Sequence, residues 1–331
     1  MMDSLGTFTL MWGVFIAIVP LLLVADLFIF NRKDHEIGIH ESLKMSACYI
    51  GIGLLFGIFI YAMLGEEPAL DYYTAFVLEK SLSLDNLFVI SIIFSSCAIP
   101  KIYQHRVLVW GIIGVIFLRG IMIGLGTAIV HHFEWVLLIF AAILIFTGIK
   151  MLLMKDMDEN FEFEEKKLVK FLRKHLHFTS KVHGHAFFVR QHSEKAGKMV
   201  FFATPLFLAL LMVEITDVMF AFDSIPAVLA VTTEPYVVFT SNIFAILGLR
   251  ALFFAVESLM SRFILMKYAL SIVLIFIGGK VFYNFNGGQI SPAISLTITL
   301  FVLLGGMIFS VLITSNREEL YKEEQEQQRK E

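Results

Sequence analysis

The chain has only two cysteines, Cys48 and Cys97, each within or beside an apolar stretch. That excludes a disulfide framework and a thiolate metal centre, and leaves both as buried free thiols. Met1 to Thr9 contains no Lys or Arg, so the start lacks the basic segment that opens a secretory signal peptide. Gly-x4-Gly-Lys-Ser/Thr is absent, so no nucleotide-binding motif offers an energy source. Charge is sparse, at 17% of residues and a net −3 at pH 7. The total says little by itself, because charges in so apolar a chain must be read by location.

Apolar side chains are abundant: 58% of the 331 residues are hydrophobic, 34 are Phe, and the mean hydropathy is +0.79. Repeated spans of about 20 apolar residues explain this composition directly, whereas a soluble domain of this length could not bury it. Spans are expected at 10–30, 44–64, 73–95, 107–129, 135–154, 200–230, 236–257, 264–284 and 292–314. Trp12, Trp110 and Trp135 fall at span ends, where interfacial anchors belong. The expected architecture is an all-α, polytopic membrane protein of nine transmembrane helices, with residues 1–314 as the transmembrane domain. A basic, His-rich loop (155–199) and a charged, helix-prone tail (315–331) complete it.

The loops separate by charge. Lys and Arg outside the spans lie after the first, third, fifth and seventh spans and in the tail; 65–72, 130–134, 231–235 and 285–291 hold none. The positive-inside rule then puts the N-terminus outside and the C-terminus in the cytoplasm of a cell that carries the chain in its inner membrane. The loop 155–199 contains His175, His177, His183, His185 and His192. It could sense or deliver metal, but no spacing resembles a zinc motif, and a basic surface segment meeting anionic lipid is the preferred reading.

A weak duplication runs through the chain. Leu144-Ile145-Phe146-Thr147-Gly148-Ile149-Lys150 recurs 130 residues later as Leu274-Ile275-Phe276-Ile277-Gly278-Gly279-Lys280, and Leu118-Arg119-Gly120 recurs after 131 as Leu249-Arg250-Ala251. Glu79 to Asp85-Asn86 recurs after 138 as Asp217 to Asp223-Ser224. The units, about 73–154 and 200–284, each contain three spans, so successive units enter the membrane from opposite sides. Such inverted three-helix repeats are a construction of secondary transporters that places the binding site at mid-membrane.

Two motifs put carboxylates inside these spans: Glu79-Lys80-Ser81-Leu82-Ser83-Leu84-Asp85-Asn86, and Glu214 through Asp217 and Asp223. An ionised group there costs roughly 2.5–3.5 kcal/mol even on the lenient insertion scale, so it needs a partner or a function. Glu214 and Asp217, three apart, share a helical face. Glu79 and Asp85, six apart, do not, and neither do Asp217 and Asp223; a bend or break at Pro226 is the expected remedy. The candidate metal ligands are Glu79, Asp85, Asn86, Glu214, Asp217 and Asp223, with Ser224 beside them. All are oxygen donors and no His lies mid-span, which selects hard cations such as Mn2+, Mg2+ or Ca2+. Against them stand Lys80, Arg119 and Arg250, the bases of a structural ion-pair network, with Asp26 as the acid expected to serve structure alone. Gly111, Gly114, Gly120 and Gly124 are expected to allow close helix contacts.

With these residues the chain resembles the TerC family of integral membrane proteins, most closely its Alx-type members, grouped in the LysE superfamily. The resemblance rests on Glu79-Lys80-Ser81-Leu82 through Asp85-Asn86, and on Val213-Glu214 through Asp217, Phe220 and Asp223-Ser224-Ile225-Pro226-Ala227. It extends to Thr240-Ser241-Asn242-Ile243-Phe244-Ala245-Ile246-Leu247-Gly248-Leu249-Arg250. It implies Mn2+ export, with Glu79, Asp85, Glu214, Asp217 and Asp223 as the metal-site acids. The expectation is a transporter and not an enzyme, with Mn2+ as transported ion and no resident cofactor, protons as coupling ion, the lipid bilayer as surroundings and no nucleic acid partner. Two other readings stay open. One is a membrane scaffold or metal-delivery partner for exported proteins. The other is a tellurium-resistance protein, which an acid-lined site disfavours because tellurite is an anion.

Overall fold

A computed structural model describes residues 4–28, 39–133, 135–153, 178–179, 182–193, 198–257 and 266–328. The described elements are α1 (Ser4–Phe28), α2 (Ile39–Leu64), α3 (Glu66–Ser96), α4 (Lys101–His132) and α5 (Val136–Leu153). After them come β1 (Phe188–Ser193), β2 (Lys198–Ala203), α6 (Pro205–Val231), α7 (Pro235–Ile246), α8 (Leu249–Glu257), α9 (Met266–Phe285) and α10 (Pro292–Gln328).

Local chemistry accounts for the boundaries. Gly65 turns α2 into α3 at φ 95°, and Glu66 and Glu67 follow in the first turn, where the positive end of the helix dipole favours acids. Pro205 and Pro235 open α6 and α7 at positions that have no N–H to lose. The expected span 200–230 starts later than its apolar run implies. Val200, Phe201 and Phe202 pair with Gln191, Arg190 and Val189 in an antiparallel hairpin, because β-branched and aromatic residues suit a ladder. The Thr204 hydroxyl donates to the carbonyl of Ala186 at 2.7 Å and ties the hairpin to the start of α6.

Pro226 does not break its helix: α6 runs through it to Val231. The interruption falls instead in the seventh expected span, which divides into α7 and α8 at Leu247 and Gly248. Gly248 has φ 83°, and a Cβ there would lie 2.6 Å from the Cβ of Tyr49 on α2. Both the left-handed backbone and the close approach require glycine.

Among the described residues, seven helices are long and apolar enough to cross a membrane: α1, α2, α4, α5, α6, α9 and α10. The two remaining expected spans fall short for informative reasons. α3 has 31 residues, about 46 Å of rise, but carries Glu79, Lys80 and Asp85 in its middle. The other is the interrupted α7–α8. Neither Cys48 nor Cys97 forms a disulfide, but Cys48 on α2 is exposed and Cys97, in the turn that ends α3, is only partly buried. Trp110 and Trp135 are exposed, whereas Trp12 packs edge-on against Tyr236 at 5.2 Å.

α3 packs against α2, α6, α7 and α10, and α4 packs against α6. Apolar side chains such as Leu55, Phe117, Phe146 and Phe301 point outward, as lipid-facing residues do. α5 and α9 lie on each other through a reciprocal contact. A Cβ on Gly148 would meet the carbonyl oxygen of Ser271 at 2.8 Å and Ile275 at 2.7 Å; one on Gly278 would meet that of Ala141 at 2.7 Å and Ile145 at 2.8 Å. Each residue of the first contact corresponds to one of the second at an offset of 130.

Candidate functional site

The centre of the bundle is a buried polar cluster drawn from four helices. Arg119 of α4 is fully buried and grips Asp217 of α6 through two parallel bonds, Nε to Oδ2 at 3.1 Å and Nη2 to Oδ1 at 2.8 Å. Its Nη1 forms a salt bridge with Glu79 of α3 and donates to the Ser224 hydroxyl at 3.3 Å and the Asn242 amide oxygen of α7 at 3.4 Å. Asn242 in turn donates to the second oxygen of Glu79 at 3.0 Å. A fork of planar donors matches carboxylates bidentately, so one guanidinium can hold two acids from different helices.

Glu79 and Asp217 are therefore partners of Arg119, and the expected structural role of Arg119 and the expected metal role of these acids meet in one cluster. Glu214 stands apart. Its carboxylate lies against Gly114 of α4, where any Cβ would collide with it, and its Oε2 is buried with no hydrogen-bond partner among the described residues. Asn86 is buried and lines a small cavity of about 40 Å³ together with Gly111, Thr216, Asp217, Phe220 and Arg250. About 10–15 Å³ of such space holds one water, so the cavity suits a few waters or a partly hydrated ion. Its walls come from the second half of α3, the first half of α4, the middle of α6 and the α7–α8 junction.

The other two bases make contacts of their own. Lys80 places Nζ 2.8 Å from the carbonyl oxygen of Ala245 and 3.3 Å from that of Leu247. Arg250, also buried, lies 3.1 Å from Nε2 of His105. The side chains of Asp26, Asp85 and Asp223 lie outside the described residues, as do His175, His177 and the basic run 166–174. Among the described residues, no three of His, Cys, Asp and Glu come close enough together to hold a metal.

Sequence reasoning missed Asn242 as a support for Glu79, although Thr240-Ser241-Asn242 is a polar run inside an apolar helix. Gly114, expected to allow a close helix contact, makes room for a carboxylate instead. A further polar place lies at the opposite end of the bundle. Asp71, Thr232, Thr233 and Asn284 line an open cleft of about 380 Å³, with Lys280 close enough to act on Asp71.

The sequence profile described as "Integral membrane protein TerC family" matches residues 64–319. An "Uncharacterized membrane protein" of Rickettsia bellii is 44% identical over 301 residues, covering 91% of this chain and 97% of its own. The "Putative membrane-bound redox modulator Alx" of Salmonella typhi is 39% identical over 330 residues, 96% and 98% of the two chains. The Escherichia coli protein of the same name is 38% identical over 327 residues, 95% and 96%. No solved structure matches.

Proposed function

The chain belongs to the TerC family of integral membrane proteins, and on that premise we propose that it exports Mn2+ from the cytoplasm by proton antiport through the acidic centre of the bundle. The observation that carries this reading is Glu214: a half-buried carboxylate with one buried oxygen that has no hydrogen-bond partner among the described residues, in a notch left open by Gly114. An unsatisfied buried carboxylate oxygen is costly in a merely structural role, and it is a hard donor suited to Mn2+. Asp217 lies three residues further along the same helical face and borders the cavity, so the two carboxylates can converge on one ion.

In this reading nine helices span the membrane, α3 and the α7–α8 pair included, with the N-terminus outside and the C-terminus in the cytoplasm. The two units, 73–154 and 200–284, are inverted repeats that rock about the α5–α9 contact. The reciprocal packing of Gly148 and Gly278 supports that symmetry. Arg119 neutralises Glu79 and Asp217 while no cargo is bound, and an entering dication competes with the guanidinium for them. Asp85, Asn86 and Asp223 are the other proposed oxygen ligands. Moving a dication outward against an inside-negative potential costs about 4.6 kcal/mol per 100 mV, from roughly 2.3 per charge, and exchange for protons supplies it.

Mn2+ efflux from inverted or loaded vesicles under an imposed pH gradient tests the proposal. Glu214→Gln, Asp217→Asn and Asp85→Asn should each abolish gradient-driven efflux, and Gly114→Ala should do so with membrane abundance kept near wild type. Efflux that ignores both the gradient and these changes would sink it. The Arg119 clamp favours a second reading, a membrane scaffold or metal-delivery partner whose acids are structural. Glu214→Gln would then lower abundance in step with function. The redox role in the name of the Alx relatives would be favoured by a redox phenotype at unchanged cellular manganese.

A further inference from the structure

Lys80 follows Glu79 directly on α3, yet its ammonium makes its hydrogen bonds to backbone oxygens, those of Ala245 at 2.8 Å and Leu247 at 3.3 Å. These carbonyls stand where α7 stops. The last carbonyls of a helix lack N–H partners within it, and they form the negative end of its dipole. Ala245, Ile246 and Leu247 are all buried, so bulk water does not serve this helix end. Two neutral backbone oxygens converging on one point inside a bundle are the makings of a cation site.

The repeat sharpens this. Under the offset that matches Glu79 to Asp217, Lys80 corresponds to Val218. Under the offset that matches Arg119 to Arg250, the interruption at Leu247 and Gly248 corresponds to Ile116 and Phe117, which lie inside the continuous α4. The lysine and the broken helix therefore occur together and are lost together. Where the first helix of a unit has valine, the facing helix runs unbroken.

We infer that the end of α7 is a carbonyl-lined site for a monovalent cation, of the sodium, potassium or ammonium class, and that the Lys80 ammonium is its built-in occupant. In transporters with discontinuous helices, free carbonyls and the C-terminal ends of half-helices hold the coupling cation. Here a covalently tethered charge from the first unit fills such a position in the second, so the α7–α8 break needs no free metal ion to be stable. The inference does not depend on what the protein carries.

Thermal unfolding of the full-length protein in detergent tests it. Lys80→Ala removes the side chain beyond Cβ, which is the shape of propylammonium. Its unfolding midpoint should fall below wild type and rise saturably with propylammonium, sodium or potassium chloride, but not with choline chloride at equal ionic strength. Wild type and Lys80→Met, in which the tether or its apolar volume fills the path, should not respond selectively. Equal responses to choline and propylammonium would overturn the site. So would recovery of the wild-type midpoint in Glu79→Gln/Lys80→Ala without added cation, because Lys80 would then only balance Glu79. Should Lys80→Ala fail to accumulate, Lys80→Gln, which keeps N–H donors for the same carbonyls, must accumulate better; equal loss in both overturns the site. Manganese plays no part in these measurements, so their failure leaves export untouched, and failed export leaves the cation site standing.

Discussion

Arg119 carries more of the interior than any other described side chain, since it holds Glu79, Asp217, Ser224 and Asn242 from three other helices. Removing one partner of a buried ion pair leaves an uncompensated charge and costs about 3–5 kcal/mol. Arg119→Ala should therefore sharply reduce the folded protein in the membrane, measured by fluorescence-detected size exclusion. Arg119→Lys should not restore it, because a point ammonium cannot bridge two carboxylates bidentately. Asp71, in the open cleft before the third span, titrates at about 6 instead of 3.8. Burial raises it, and Lys280 and the Thr232 hydroxyl pull it partway back. The native state thus holds a proton that the unfolded chain gives up. Asp71 adds stability below about pH 4, and that share is lost as the pH rises through 6. Unfolding midpoints of wild type should fall relative to Asp71→Asn between pH 4 and 6, then run parallel; curves parallel throughout would contradict this.

The elements divide into those that set the frame and those that can move. α5 and α9 meet backbone to side chain at Gly148 and Gly278, close enough that a side chain must displace a carbonyl or an isoleucine. Overpacking of this kind typically costs about 1–3 kcal/mol. Gly148→Val and Gly278→Val should each lower the unfolding midpoint, and by similar amounts if the contact is symmetric; one tolerated and one severe would contradict the reciprocal geometry. The break between α7 and α8 is held by Lys80, Gly248 and Tyr49. Helix formation along 236–257 was legible from its apolar run. The break was not, because a lone Gly248 in an apolar stretch also reads as a packing glycine.

For the whole molecule, the charge pattern and the bundle ends agree on which elements share a side. The hairpin and the starts of α4 and α6 lie together; the Asp71 cleft joins the start of α3 and α5 to the ends of α6 and α9. In a background with Cys48 and Cys97 replaced, Thr233→Cys should react with an impermeant thiol reagent from outside intact cells. Lys198→Cys should react only after the membrane is opened. The reverse pattern would invert the orientation.

What the residue order alone determined was everything governed by local or one-dimensional energetics. Long apolar runs dictate helices in lipid, and the cost of intramembrane charge marks Glu79, Lys80, Arg119, Glu214 and Asp217 as residues with partners or functions. What it could not determine was which partner each would take. Three bases and several acids are interchangeable along a string, but Coulomb and hydrogen-bond energies depend on distances between helices. Only packing brought Arg119 between Glu79 and Asp217, left an oxygen of Glu214 unpaired beside Gly114, and turned Lys80 to the end of a broken helix.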